Sequence, residues 1–496
     1  MRLLSKNKEI LILFLVALAL RAFLVLTALG IADDGCAYGW LAKEVAAGNF
    51  HEVFSSILPP LFPIFIACAS YIFRDFELSG RIVSCLFGSL TVFPLFFLVK
   101  NVFDRKIALM TVFFFIVHPY LSQASGEVLT EALYFFFITS IASLSWLAIQ
   151  KKRSALFLVV GFLLSLAFLT RFEGFALIFL VLGWIWLINL PKIRTATRWK
   201  LVSSFFCIIT FIAAFFPYLF FVSKETGKWQ ICPRQEQRVD AFFKPTGDSP
   251  TPLQKVGSVL KHQISTNVPR IPFFLAKAYH PVFLLLLFFG VIGRKRLKGF
   301  KIGEAYILSF ILLRITVLVV SAGILDRYLY AFVPVALCWA GTGFWEIDYR
   351  LQEKFKNKSL SVGRDRISRF SIIILVVIMA VCLPRGLRPI RGHRAVQKEA
   401  GYWLKENAGQ KEFIVVAPSP QESFHAGAKW YELKGRTYAE VINNARGKGA
   451  DFIIINRDID KICPDFKDSV RTDDLEIFTR KFEKSNKKIV IYKLKK

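Results

Sequence analysis

The sequence lacks the cysteine spacing that would indicate a zinc site or a disulfide-stabilised fold. Its 496 residues include eight cysteines but no CxxC pair. Most of these cysteines lie inside apolar runs, where a thiol behaves as a small hydrophobic side chain. The six histidines are scattered along the chain, and no group of ligands has the spacing of a metal centre. Internal repeats and low-complexity tracts are absent as well.

Apolar residues, by contrast, are abundant. The chain is 54% hydrophobic, contains 51 phenylalanines and has a mean hydropathy of +0.47, whereas soluble domains are usually about 45–50% apolar. A net charge of +29 would suit a nucleic-acid-binding protein. The basic residues, however, fall in short clusters between apolar runs. This pattern indicates a polytopic membrane protein and argues against nucleic acid as a partner.

The apolar runs predict about eleven membrane-spanning helices, because a helix needs about 20 apolar residues to cross a bilayer. The first run is long and has no clear small-residue cleavage site, so we expect a retained span rather than a signal peptide. The stretch 57–73 is short and contains three prolines, which predicts an interfacial or re-entrant helix. The predicted spans are residues 10–30, 81–99, 107–124, 128–148, 154–170, 174–190, 201–222, 273–292, 303–323, 328–345 and 370–387.

The basic clusters predict the orientation of these spans, since cytoplasmic loops are enriched in Lys and Arg. Clusters occur at every second loop, and the last of them is at 350–369. We therefore expect a cell-membrane protein, located in the inner membrane, with a cytoplasmic N-terminus. The first outer loop, 31–80, a long outer loop, 223–272, and the C-terminal region are then extracytoplasmic.

The C-terminal region has a different character from the apolar part. Residues 395–409 and 437–450 have helical patterns, whereas 412–419, 450–458 and 487–494 are typical of buried strands. Alternating helices and strands predict a small α/β domain. The predicted fold is therefore a polytopic α-helical membrane domain, residues 1–388, followed by a small α/β extracytoplasmic domain, residues 389–496.

Acids and arginines gather at the outer ends of the predicted spans. Charges at a membrane edge are costly and usually pair or line a cavity. Arginines bind phosphate and a carboxylate can accept a proton, which suits a lipid-phosphate substrate. A divalent metal is a possible substitute for an arginine. The candidate residues are Asp33, Asp34, Arg81, Glu127, Glu131, Arg171 and Arg327.

Each candidate also has a structural interpretation. An arginine at a helix end can be a snorkelling group or a topology anchor. Glu131 can complement the dipole of the helix that it begins. Asp34 is suited to be the N-cap of a helix that begins at Gly35. That cap would leave Asp33 slightly favoured for chemistry.

Several motifs follow one another in a fixed order along residues 10–345. An acidic pair, Tyr38, Gly48 and "PPLFP" come first. They are followed by "GRIVSCLFGSLTVFPLFFLVKNVFDRKIAL", "HPYLSQASGEVLTEALYFFF", "LAFLTRFEGFALI" and "DRYLYAFVPV". In this order they resemble the GT-C membrane glycosyltransferases. The resemblance is strongest to the branch that holds protein O-mannosyltransferase-like enzymes and the lipid A aminoarabinose transferase.

The resemblance implies an inverting transfer of sugar from a polyprenyl-phosphate donor, at the outer membrane face, to a hydroxyl of a protein, lipid or glycan. It implies that Asp33 or Asp34 is the base, and it matches Arg81, Glu131 and Arg327 to family positions. Leu58 stands where the aminoarabinose branch tends to have Lys, which disfavours a lipid A acceptor. The alternatives from other classes are a lipid-linked substrate transporter or flippase and a structural membrane scaffold.

Overall fold

A computed structural model describes most of the chain. The described residues are 8–188, 197–231, 252–293, 302–320, 326–354, 368–409, 412–456, 459–466, 469–478, 482–484 and 487–495. The predicted basic cluster at 294–301, most of the cluster at 350–369 and much of the outer loop 223–272 lie outside these residues.

The membrane part consists mainly of helices, and its described residues contain no strand. Its helices are α1 (Lys8–Leu26), α2 (Asp33–Ala46), α3 (Phe50–Phe54), α4 (Leu61–Phe73), α5 (Phe76–Leu90), α6 (Val92–Val102), α7 (Arg105–Val117), α8 (Pro119–Ala124), α9 (Glu131–Lys151), α10 (Leu156–Thr170), α11 (Ala176–Leu187), α12 (Thr197–Thr226), α13 (Pro252–Asn267), α14 (Ile271–Tyr279), α15 (Pro281–Ile292), α16 (Ile302–Val320), α17 (Asp326–Leu329), α18 (Val333–Lys354) and α19 (Arg369–Gly386).

Six of the described helices are long and apolar enough to cross a membrane: Lys8–Leu26, Phe76–Val102, Glu131–Lys151, Thr197–Thr226, Ile302–Val320 and Arg369–Gly386. Three shorter apolar helices, Leu61–Phe73, Leu156–Thr170 and Phe172–Leu187, accompany them. Each run predicted to span the bilayer coincides with at least one described helix. The predicted fold class is therefore confirmed, and the chain is a multi-pass membrane protein.

The run 273–292 departs from the prediction because it is not one straight helix. Lys261–Tyr279 and Pro281–Ile292 meet at an angle of 105°. Pro281 cannot donate a backbone hydrogen bond, and a proline disfavours the helical conformation of the residue before it. His280 accordingly leaves the helix with φ 62° and ψ 137°.

The helix that follows α1 begins at Asp33, two residues earlier than the sequence predicts. Ala32 is its extended N-cap residue, no side chain caps it, and both Asp33 and Asp34 lie in its first turn. The capping role predicted for Asp34 is therefore wrong. Carboxylates in a first turn still favour the helix dipole, and both aspartates are held by arginines from elsewhere in the chain.

The C-terminal region forms an α/β domain around a small mixed sheet. Its strands are β1 (Ile414–Ala417), β2 (Lys429–Glu432), β3 (Phe452–Ile455), β4 (Leu475–Ile477), β5 (Phe482–Lys484) and β6 (Lys487–Leu494). The order is β2-β1-β3-β6-β4, with β5 paired to β6. β1 runs parallel to β2 and β3, and β6 runs antiparallel to β3. The helices are α20 (Ala395–Asn407), α21 (Gln421–Ala426), α22 (Tyr438–Gly447) and α23 (Ile459–Ile462).

Candidate active site

A cavity of about 260 Å³ lies where α2, the start of α9, α17 and the segments 57–59 and 170–173 converge. The α2 helix supplies Asp34 and Tyr38 to its wall, and these two residues share a face because they are four positions apart. The remaining lining comes from short segments that join helices. The lining residues are Asp34, Tyr38, Ile57, Leu58, Pro59, Leu129, Thr130, Glu131, Thr170, Arg171, Phe172, Glu173, Arg327 and Tyr328.

Arg171 stands between two carboxylates on one side of this cavity. Its guanidinium is 3.6 Å from Oε1 of Glu131 and 3.4 Å from Oε2 of Glu173, and it donates to Oγ1 of Thr130 at 3.3 Å. Burial by itself lowers the pKa of Arg171, but the charges of Glu173 and Glu131 raise it well above its ordinary value. The cation is therefore permanent.

Arg327 also lines the cavity, and it pairs with Asp34. Its Nη2 is 2.6 Å from Oδ2 of Asp34. Burial lowers the pKa of Arg327, but the charges of Glu131 and Asp34 outweigh this effect, and the pKa lies above its ordinary value. The guanidinium carbons of Arg171 and Arg327 lie 5.1 Å and 5.4 Å from the centre of the Tyr328 ring. One aromatic ring thus makes cation–π contacts with both arginines.

Arg314 holds Tyr328 and Glu173 in their positions at the cavity. It is buried in α16, donates to the Tyr328 carbonyl from Nε at 3.1 Å and Nη2 at 2.9 Å, and pairs with Glu173. Our sequence analysis did not single out Arg314. The signal was present, because an arginine inside the apolar run 303–323 is costly and so indicates a function.

Four of the seven candidates line the cavity: Asp34, Glu131, Arg171 and Arg327. Arg81 does not, because it is buried against Glu77 at 2.7 Å and donates to the carbonyls of Gly30 and Gly126. It therefore ties α5 to the segments that precede α2 and α9.

Asp33 and Glu127 face the C-terminal domain. Oδ2 of Asp33 is 2.8 Å from Nη2 of Arg394, and Oε2 of Glu127 is 2.8 Å from Nη2 of Arg391. The sequence analysis missed both of these arginines. They lie more than 250 positions away along the chain, and no local pattern connects them with the outer loops.

The cavity combines two permanent cations with carboxylates of contrasting exposure. The side chain of Asp34 is 44% exposed, whereas that of Glu131 is 5% exposed. This arrangement can bind an anion between the arginines while an accessible carboxylate accepts a proton. Within the described residues, no cluster of three or more His, Cys, Asp or Glu side chains is placed to hold a metal ion.

Comparison in sequence identifies one family. Residues 58–219 match the family model described as dolichyl-phosphate-mannose-protein mannosyltransferase. This range is less than half of the chain and contains Glu131 and Arg171. No curated protein matches the chain in sequence.

Solved structures match the chain over most of its length. ArnT from Cupriavidus metallidurans bound to undecaprenyl phosphate has a TM-score of 0.63 at 12% identity, and the match covers 98% of both chains. The oligosaccharyltransferase AglB from Archaeoglobus fulgidus, in complex with an inhibitory peptide and a dolichol-phosphate, has a TM-score of 0.55 at 14% identity. That match covers 92% of this chain and 70% of AglB. At such identities the likeness is one of fold.

Proposed function

We propose that the chain is a membrane glycosyltransferase of the GT-C superfamily, and that it transfers a sugar from a polyprenyl-phosphate donor to a hydroxyl acceptor with inversion at the anomeric carbon. The match to the mannosyltransferase family model over residues 58–219 and the fold shared with ArnT support this proposal. The observation that carries this proposal is the convergence of Asp34, Arg171 and Arg327 on one cavity. These groups supply the base and the phosphate-binding cations that the reaction requires.

The arginines account for the departing group. When the sugar leaves, negative charge grows on the lipid phosphate, and fixed cations in a site of low dielectric stabilise this charge. Arg171 and Arg327 are held beside Tyr328 before the donor arrives, so little reorganisation is needed. Their planar forks suit the phosphate oxygens.

Asp34 accounts for the nucleophile. A hydroxyl is a poor nucleophile, and a carboxylate must take its proton as the new glycosidic bond forms. Asp34 is the most accessible of the paired acids at the cavity. We assign it the role of base, since an acceptor that arrives from water meets it first. The buried carboxylate of Glu131 is then suited to hold a sugar hydroxyl deeper in the cavity.

The same matches support a choice of which acceptor to test first. A hydroxyl-bearing peptide is the first acceptor to test, since the matched family model is that of a protein mannosyltransferase and AglB was solved with a peptide. Lipid and glycan acceptors come second. We propose that the arginines carry the phosphate without a metal, so EDTA should leave the rate within about two-fold of its untreated value.

The proposed orientation of the protein places the donor and the acceptor on the same side of the membrane. We propose that the N-terminus is cytoplasmic and that the cavity and the C-terminal domain are extracytoplasmic in the cell membrane. A tag at residue 496 should be accessible to protease from outside, and one within 350–369 only from inside. Cleavage of either tag from the opposite side would overturn this orientation.

The direct test uses purified protein with a labelled polyprenyl-phosphate sugar. We expect acceptor-dependent formation of a glycosylated product and of free polyprenyl phosphate in equal amounts. Arg171→Ala should reduce both, whereas Arg446→Ala, at the surface of the C-terminal domain, should reduce neither. Movement of intact donor across vesicles without product formation would refute the transferase and favour a transporter.

A further inference from the structure

The two acids at the start of α2 face different parts of the protein. Successive residues of a helix are rotated by about 100°, so Asp33 and Asp34 cannot share a face. Asp34 and Tyr38 face the cavity. Asp33 and Trp40, seven positions apart, share a second face, and both of them and Gly39 contact the C-terminal domain.

Asp33 is held by three hydrogen bonds from the C-terminal domain. Arg394 donates to Oδ1 at 3.1 Å and to Oδ2 at 2.8 Å, and Nε2 of Gln421 donates to Oδ1 at 2.6 Å. Burial raises the pKa of Asp33, but these bonds and the charge of Arg394 lower it below its ordinary value. Asp33 is therefore an ionised anchor whose oxygens are already engaged.

Packing reinforces the same contact two turns further along α2. A Cβ atom at Gly39 would lie 2.5 Å from the Phe424 ring, so only glycine allows α21 to approach this closely. The Trp40 ring lies 5.8 Å from Phe424 and stacks on Trp430 at 6.1 Å. The second face of α2 is thereby fixed both at its first turn and near its middle.

Further charge pairs surround this contact. Lys398 lies 3.0 Å from Glu77, and Arg391 lies 2.8 Å from Glu127. His425 is also near Glu77, at 3.7 Å, but burial lowers the pKa of His425 to about 4, so its imidazole is neutral at pH 7. The positive charge opposite the outer acids therefore comes from Arg391, Arg394 and Lys398.

We propose that the C-terminal domain sets the position of α2, and that Arg394 and Gln421 are positioning residues for Asp34. This inference rests on the proposed function, because it takes Asp34 as the base. The physical reason is that α2 is short, that its first two side chains are about half-exposed, and that one of its faces lines the cavity. A displacement of about 1 Å at a reacting group can cost on the order of 100-fold in rate.

The first test separates positioning from binding. Arg394→Ala should lower kcat about ten-fold and leave the KM for the donor within about two-fold, because Arg171 and Arg327 are untouched. Arg394→Lys should recover part of kcat, since charge is kept and one of the two hydrogen bonds is lost. Arg446→Ala is the matched control, because it breaks an Arg–Asp pair of 2.8 Å within the C-terminal domain itself.

The second test is non-additivity. In an Asp34→Asn background, Arg394→Ala should lower the residual rate no further, because the group that it positions is gone. An additive loss, or a wild-type rate in Arg394→Ala alone, would overturn the positioning role and leave the proposed function standing.

A buried thiol reports docking without any substrate. Cys36 is fully buried in α2, one turn from Asp33. Maleimide labelling of Cys36, located by peptide mass spectrometry, should increase in Arg394→Ala and stay at the wild-type level in Arg446→Ala. Unchanged labelling in Arg394→Ala would contradict the inference. This readout stands even if the wild-type protein transfers no sugar, in which case the proposed function alone has failed.

Discussion

Replacing Asp34 by Asn removes one negative charge from the cavity with almost no change in shape. A general base usually contributes about 10²–10⁴ in rate, so we expect kcat to fall by this factor. In activation free energy, the loss corresponds to about 3–5 kcal/mol. The amide can still accept a hydrogen bond from Arg327, but it cannot take a proton from the acceptor.

The structure also bounds the effect of this substitution on stability. The side chains of Asp34 and Arg327 are 44% and 29% exposed, and an ion pair exposed to this extent contributes at most about 1 kcal/mol. Membrane insertion should therefore be retained, and the loss of rate cannot be attributed to unfolding. Release of Arg327 from its carboxylate partner should leave the KM for the donor unchanged or lower it.

The assay is the transfer rate per molecule of correctly inserted protein, measured over a range of donor concentrations. Asp33→Asn is the matched control, because it makes the same chemical change at the neighbouring residue, outside the cavity. We expect it to lower kcat by no more than about ten-fold, through weaker docking of α2. A kcat for Asp34→Asn within three-fold of wild type would refute the assignment, and a larger loss for Asp33→Asn would transfer the role of base to Asp33.

Two further predictions concern the donor and the C-terminal domain. Arg327→Ala should raise the KM for the donor by about 10–100-fold, because a charge-assisted hydrogen bond contributes about 1.5–3 kcal/mol. Arg327→Lys should restore part of the affinity for the donor. An unchanged KM in Arg327→Ala would show that Arg327 only anchors the end of its helix. Burial raises the pKa of Glu422 from its ordinary value of 4.5 to about 7, so the folded domain holds a proton that the unfolded chain releases. The contribution of Glu422 to stability is then greatest below pH 4.5 and falls by on the order of 3 kcal/mol as the pH rises to 7. Amide exchange in β1 and β3 at pH 5 and pH 8 should show this loss, Glu422→Gln should abolish it, and equal protection at both pH values in the wild type would contradict it.

The membrane fold was predictable because its signal is local. A long apolar run predicts a spanning helix whatever the rest of the chain does, since a helix satisfies its backbone hydrogen bonds within the segment itself. The β2 strand was missed for the opposite reason. Its residues, Lys429–Glu432, are exposed or half-buried and form no apolar run. Only their pairing with β1 makes them a strand.

The site was predictable as a set of charges, but not as an arrangement. Asp33 and Asp34 are identical in type and adjacent in sequence, so a local pattern cannot decide which faces the cavity. The decision depends on where the helix begins and on Arg394, which lies 361 positions from Asp33. Arg81 and Glu127 met the same criteria as Arg171, yet their partners place them outside the cavity.

The contact between Asp33 and Arg394 also links an early part of the chain with a part that is synthesised much later. During synthesis, α1 and α2 leave the ribosome long before the residues that hold α2 in place. Until residues 394–424 have been made and folded, Asp33 lacks its cation and Gly39 lacks the ring that covers it. We therefore expect α2 to reach its final position only after all the described membrane helices have been synthesised.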